Sequence, residues 1–387
     1  MAGLPGSPVR RAFVGLLLLA ALGAAAPSLL AQGGRAVRQP TDDLTRGVPS
    51  RVLDSGLLRA AYMDLYGRPP YGAERRQWLG GELADLSVHL IGSREFWNHW
   101  LDEQLYFFLL IDNFRPESER VRKIPPQMAA RRLGVRDALH RIALSPSFDR
   151  RNPGADTFVT VVMEQLLGMT VQRRVRELEI GKRLYDGRKG NFLGRAGDSQ
   201  ADVVRIAIED DRCLQEYLGR EHARMLRRGV RPREVKRWAK GIEEDSLSYA
   251  EVVRGWLLSD AYLERVGEHV AQPNRLFVRA LFVDLVDRLP DKNEEQQMRN
   301  ALDSLSDPGP LRSVLARLLI DSGTAELPSK KEIEDPTLWV AGLFEQLLGR
   351  PASEDELHEF VTAFHDPACK PATVVYAIVS HPEYHTY

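Results

Sequence analysis

The chain has 387 residues, with 53 Lys and Arg against 54 Asp and Glu and a formal net charge of −1. So even a balance gives no electrostatic footprint for a nucleic-acid partner, and 43% apolar residues supply enough to bury real cores, which excludes a wholly disordered chain. The two cysteines, Cys213 and Cys369, stand in no metal-binding or haem-attachment spacing.

Residues 1–31 read as a secretory signal peptide. Arg10 and Arg11 precede an apolar stretch from Ala12 to Ala26, and Ala31 offers a small residue for cleavage before Gln32. The stretch, about 15 residues, is shorter than the roughly 20 needed to span a hydrocarbon core, so the expectation is export to the periplasm or cell surface. A membrane anchor follows only if the segment is retained. The run Arg10-Arg11-Ala12-Phe13-Val14 resembles a twin-arginine export signal, but the Leu-rich stretch fits general secretion, which is the expected route. No cysteine near the cleavage point supplies a lipid-attachment site. Residues 32–56 are polar and rich in Gly, Pro and Arg, with too little apolar surface to offset the entropy of ordering them, and read as a flexible tether.

From residue 57 one order of parts recurs. The segment LRAAYMDLYGRPPYGAERRQWLGGELADLSVHLIGSREFW predicts a helix stopped at Gly67-Arg68-Pro69, then further helical stretches ending at a serine followed by an aromatic. Weaker copies run from LYFFLLIDNF to LHRIALSPSFDRR and from FVTVVMEQLLGMT to VVRIAIEDDRCLQEYL, the latter interrupted by the Gly-rich YDGRKGNFLGRAGDSQ. The order returns in HARMLRRGVRPREVKRWAKGIEEDSLSYAEVVRGWLLSDAYLERV, with Gly229 and Pro232 at the break, and again from LFVRALFVDLVDRLP. It is clearest at the C-terminus. There Val340, Ala341, Phe344, Leu347 and Leu348 share one helical face, Gly349 and Pro351 end the helix, and Ser353 with Glu356 forms a capping box that opens EDELHEFVTAF. A third helix, ATVVYAIVS, closes the unit at HPEYHTY.

The predicted fold class is therefore all-α: repeated three-helix modules packed as two or three helical lobes or an irregular array. Modules 1–2 are assigned to residues 57–150, modules 3–4 to 158–270 with the Gly-rich insertion at 185–200, and modules 5–6 to 275–387. Boundaries are expected near 151–157 (RNPGADT) and 270–274 (VAQPN).

A helix ending in LLGRxP, a second helix, and a third ending in a serine-x-x-aromatic phrase resembles the helical module of exported planctomycete-type bacterial proteins that carry the domain of unknown function fifteen-forty-nine. The stretch SYAEVVRGWLLSDAYLERV followed by NRLFVRALFVDLVDR is also similar to phycobilisome-linker-like folds and related adhesin-type helical repeats. These resemblances imply an all-helical fold that associates with other proteins. They imply no chemistry, and the CxxCH haem motif that often accompanies the first family is absent from this sequence.

No catalytic, cofactor-binding or metal-binding residue set is assigned. His381, Glu383 and His385 crowd the C-terminus with His365 and Asp366 nearby in sequence, but this reads as a solvated chain end; no HExxH occurs, and His89 and His99 have no carboxylate forced beside them by spacing. The glycines of 185–200 lack the strand, helix and GK[ST] ending of a phosphate cradle. Ser93, Ser145, Ser259 and Ser380 read as helix caps, the aromatics Phe96, Trp97, Trp100, Tyr106, Phe107 and Phe108 as a core face, and the basic stretch Arg220 to Lys240 as a solvated face with an anion-docking alternative. In an oxidising compartment Cys213 and Cys369 can pair, closing a long loop worth on the order of 4 to 5 kcal/mol; the alternative is two separate thiols. The functional expectation is a non-enzymatic structural or protein-interaction protein with an envelope or cell-surface partner, no cofactor and no identifiable small-molecule substrate. The alternative is an exported enzyme or redox-associated protein whose site is assembled between modules, for instance from His365, His381 and His385.

Overall fold

The computed structural model describes residues 51–110, 115–325 and 327–387. The expected signal segment, 1–31, and the expected tether as far as residue 50 lie outside the described residues. The tether assignment extends too far at its C-terminal end: the Leu53 N–H donates to the Gly81 carbonyl at 2.8 Å, the Leu83 N–H to the Arg51 carbonyl at 2.9 Å, and Asp54 caps the first helix. Backbone pairing with a later segment orders residues 51–54 despite their polar composition.

The fold is all-α, as the periodicity predicts. Helices α1 (Ser55–Tyr66), α2 (Gly72–Trp78), α3 (Leu83–Gly92) and α4 (Arg94–Leu109) come first, followed by the short α5 (Glu119–Arg122), α6 (Ile124–Ala129), α7 (Val135–Ala143) and α8 (Pro146–Arg151). Helix α9 (Ala155–Val161) runs into a π-helical turn at Val162–Leu166, and α10 (Val175–Tyr185) leads to a hairpin of β1 (Gly190–Phe192) and β2 (Arg195–Gly197). Next are α11 (Gln200–Glu209), α12 (Asp211–Leu226), α13 (Pro232–Glu243), α14 (Tyr249–Leu257) and α15 (Asp260–Val266). The last part holds α16 (Asn274–Val286), α17 (Lys292–Asp303), α18 (Gly309–Asp321), α19 (Pro336–Leu347), α20 (Glu354–His365) and α21 (Pro371–Val379). Among the described residues no helix is long and apolar enough to cross a membrane.

The Gly-rich insertion forms the hairpin because Leu193 and Gly194 both adopt positive φ, the requirement of a tight two-residue turn that matches strand twist. Phe192 then points inward and is fully buried, which anchors the hairpin to the main core.

Two hydrophobic cores form. The larger draws on the chain from Leu53 to Tyr262 and the smaller from Phe277 to Tyr384. The predicted boundary at 151–157 is not a break in packing. Phe148 and Phe158, on either side of it, meet edge to face at 5.5 Å, while Asn152 is buried and its Nδ2 donates to the Phe148 carbonyl at 3.0 Å. RNPGADT is thus a tight turn between two helices that share one core. The change of core does fall near 270–274, but that segment is no loose linker, because Val270 exchanges backbone hydrogen bonds with Tyr387 and the Gln272 N–H donates to the His385 carbonyl.

Helix α1 sits between the cores. It packs on α3, α4 and α15 of the larger and on α19 of the smaller, and is buried from Leu57 to Tyr66. Polar side chains within it must therefore find partners inside the protein.

Candidate functional site

The seam between the cores carries a buried ionisable network, and α1 and α16 supply much of it. Both helices carry the same spacing: Arg59-Ala60 with Asp64-Leu65 in α1, and Arg279-Ala280 with Asp284-Leu285 in α16. Arg59 reaches across the seam to Asp284, donating from Nη1 and Nη2 to the two carboxylate oxygens at 2.9 and 2.8 Å. The Tyr384 hydroxyl donates to the same carboxylate at 2.9 Å, and Gln346 Nε2 donates to the Asp284 carbonyl at 3.0 Å. Asp64 accepts from the Tyr262 hydroxyl at 2.6 Å and from Arg265. All of these side chains except Gln346 are buried. Burial alone would lower the Arg59 pKa, but Asp284 beside it holds it above its ordinary value. These constellations are buried ion pairs, an arrangement that fixes geometry; the Arg59–Asp284 pair is bidentate, whereas the Arg265 Nε is buried without a hydrogen-bond partner among the described residues.

Arg279 does not repeat the partner choice of Arg59. It donates from Nε to Glu295 at 3.0 Å and, with Arg275, Arg224, His99, Glu103 and Tyr387, walls a cavity of about 270 Å³ between α1, α4, α12 and α16. Arg275 is held by Asp102 and Glu295, both at 3.2 Å, and the Arg224 Nε donates to Glu221 at 3.2 Å. The His99 Nδ1 is sealed from solvent and has no hydrogen-bond partner among the described residues. Its ring lies over Gly67, where φ is +67° and a Cβ would come within 2.6 Å of the ring. Burial first, and then the Arg224, Arg275 and Arg279 cations, hold the His99 pKa well below its ordinary value, so the imidazole is neutral at pH 7. A neutral imidazole among guanidinium groups can accept a hydrogen bond but is a poor store for a proton.

A second polar device recurs outside the seam. At Gly67, Asp287 and Gly349 a helix ends in a left-handed residue, an arginine follows, and three residues beyond that arginine the next helix is capped. The arginine then grips the glutamate at the third position of the new helix: Arg68 with Glu74, Arg288 with Glu294 and Arg350 with Glu356, each through two nitrogens at 2.7 to 2.9 Å. That glutamate also accepts the N–H of the cap residue, at 2.8 Å for Tyr71, 2.6 Å for Asp291 and 2.8 Å for Ser353. Two of these arginines hold a second glutamate from the start of a later helical turn, Glu95 for Arg68 and Glu383 for Arg350. The hydrogen bonds from Arg350 hold the Glu356 pKa down at about 2.

Comparison with protein-family models, with curated proteins and with solved structures finds no match.

The residues singled out in the sequence are placed as follows. His365, His381 and His385 do not converge on a metal site, and among the described residues no group of three or more His, Cys, Asp or Glu is placed to hold one. His381 Nδ1 accepts the Glu383 N–H at 3.3 Å, and the His385 ring packs edge to face on Phe277. Ser93, Ser145 and Ser259 each accept a backbone N–H three residues on, as read. Ser380 does not, because His381 takes the capping place and leaves the Ser380 Oγ buried without a partner. Phe96, Trp97, Trp100 and Phe108 are buried, whereas Tyr106 is exposed and Phe107 lies under the Arg220 guanidinium at 3.7 Å. The disulfide that the sequence allows is not formed. Cys213 is a free thiol in the larger core and Cys369 a half-buried free thiol against the smaller one. Neither the seam pairs nor the arginine clasps were read from the sequence, although two signals were present: the shared Arg-x4-Asp spacing of α1 and α16, and the six-residue spacing from arginine to glutamate after each helix stop.

Proposed function

We propose that this chain is an exported, non-enzymatic structural or protein-interaction protein built from helical modules, of the kind its sequence resembles, acting in the periplasm or at the cell surface after cleavage following Ala31. The observation that supports this reading is a pair of exposed apolar side chains on one helix face: Val314 and Leu318, one turn apart on α18, are 49% and 58% exposed. Single exposed apolar residues are ordinary, but a pair stacked on one helix face offers a partner a contiguous contact. The test is a pull-down of the chain from Gln32 to Tyr387 out of its native envelope fraction, with mass spectrometry of bound proteins and with metal and visible-absorbance analysis. A stoichiometric protein partner without metal or chromophore supports the reading, and stoichiometric metal or haem without a partner overturns it.

A second reading, a ligand-holding or catalytic site assembled between helices, is favoured by the His99 cavity, where side chains from four helices meet around a sealed imidazole. A thermal-shift screen of small carboxylic and amino acids decides for it if a hit is lost in Arg279→Met.

A further inference from the structure

The arginine clasp has a fourth copy, and that copy is open. Arg227 ends α12 in the left-handed conformation, Arg228 follows, Arg231 caps α13, and Glu234 stands at its third position, the same register as in the other three. Yet Arg228 does not grip Glu234, and Glu234 does not accept the Arg231 N–H; among the described residues the guanidinium pairs only with Glu264, at 3.2 Å on the surface. The second carboxylate is missing too. Where Ser93 is followed two residues later by Glu95, and His381 by Glu383, Ser259 is followed by Ala261.

An open groove of about 620 Å³ lies where the glutamates would close, and Arg228, Glu234 and Ala261 all line it. Arg231 and Arg237 stand at its edge and pair with no carboxylate among the described residues, while Trp238 and Trp256 form part of its wall. The Trp256 Nε1 is sealed in the wall without a hydrogen-bond partner. The arginines that hold two carboxylates are the less exposed, the Arg68 side chain at 1% and that of Arg350 at 33%, and those that hold one are the more exposed, Arg288 at 43% and Arg228 at 52%. A planar guanidinium beside an apolar wall is suited to bidentate carboxylate recognition.

We propose that the open clasp docks a protein partner that presents a glutamate two residues after a helix cap with an aromatic next to it, as Glu95 and Phe96 or Glu383 and Tyr384 do within this chain. A polypeptide is favoured over a free anion because two of the three closed copies, at Arg68 and Arg350, show the occupant of this place: a glutamate held at the start of a helical turn by its own backbone. The proposal rests on the protein-interaction reading above.

The probe is a labelled peptide with the sequence of residues 93–104, SREFWNHWLDEQ, titrated by fluorescence anisotropy into the full chain, with a Glu95→Ala peptide as control. Saturable binding is expected, weakened at least about tenfold by Arg228→Ala, a loss in keeping with one charge-assisted bidentate contact. Ala261→Glu adds a carboxylate from within and is expected to abolish peptide binding; because Ala261 is only 5% exposed, Glu264→Ala, which removes the exposed carboxylate that competes for Arg228, is read beside it and is expected to tighten binding, an effect that damage to the fold does not produce. Absence of saturable binding, binding unchanged in Arg228→Ala, or displacement by acetate at the peptide's own concentration overturns the proposal. So does Arg228-dependent binding to anionic lipid vesicles without peptide binding. If the pull-down partner is retained by an Arg228→Ala chain, the interaction reading stands and this site falls; if no partner is captured, the reading beneath it falls first.

Discussion

Replacing Asp284 by alanine tests whether the seam between the cores is held by its ion pair. The Asp284 and Arg59 side chains are 2% and 8% exposed, so truncation leaves a guanidinium inside the protein with, among the described residues, only the Gln346 carbonyl, at 3.2 Å, as an acceptor, and takes the acceptor from the Tyr384 hydroxyl as well. Removing one partner of a buried pair costs about 3–5 kcal/mol, a large share of the 5–15 kcal/mol typical of a native protein. With a urea slope of about 3 kcal/mol/M, the unfolding midpoint measured by circular dichroism should fall by about 1–1.7 M. Arg59→Met should cost a similar amount. The double variant Arg59→Met/Asp284→Leu should recover most of the loss, since no charge then remains to be desolvated. A single-variant shift under about 0.3 M, or a double variant that simply adds the two losses, would refute this account of the seam.

Gly67→Ala should destabilise by about 2 kcal/mol or more in the same assay, because the left-handed φ is strained for alanine and its Cβ would strike the His99 ring; a neutral result would remove the close approach from the argument. Two pH effects follow. His99 titrates lower in the folded than in the unfolded chain, so the folded state is penalised as pH falls below about 6.5, by up to about 1.4 kcal/mol per pH unit from this group, and His99→Gln should remove that part of the slope. Glu356 falls from 4.5 to about 2 on Arg350, so its contribution is present above 4.5 and lost between there and about 2; an acid-unfolding curve unchanged by Arg350→Met would count against the clasp. Titration with a thiol reagent should find one reactive group in the native chain, Cys369, and two after unfolding. Cys213 is buried and its thiol is pushed up to about 12, chiefly by that burial, so early reaction at Cys213 would contradict its place in the core.

Local rules made the helices legible. The helix of Val340, Phe344 and Leu347, its stop at Gly349, and the capping box of Ser353 and Glu356 depend on residues within a few positions of one another, so their spacing alone predicts them. The same holds for the serine caps at 93, 145 and 259. Ser380 shows the limit of that logic, since a neighbouring histidine can satisfy the same N–H. The hairpin at Leu193-Gly194 was within reach of turn chemistry, but the glycines around it read equally well as a loose insertion.

The sequence by itself determined the all-α class, where helices begin and end, and the arginines and glutamates that follow each stop, because helix periodicity, capping and glycine conformations are properties of adjacent residues. The tertiary structure alone decided which of those charges meet. Arg59 and Asp284 are 225 positions apart, and Phe148 and Phe158 join one core across a turn that reads as a boundary. Long-range pairing depends on how buried faces stack, and no local spacing encodes it. The open clasp lies between the two levels: its register is written in Arg228 and Glu234, but only folding decides that these two charges stay apart and that Ala261 lines the same groove.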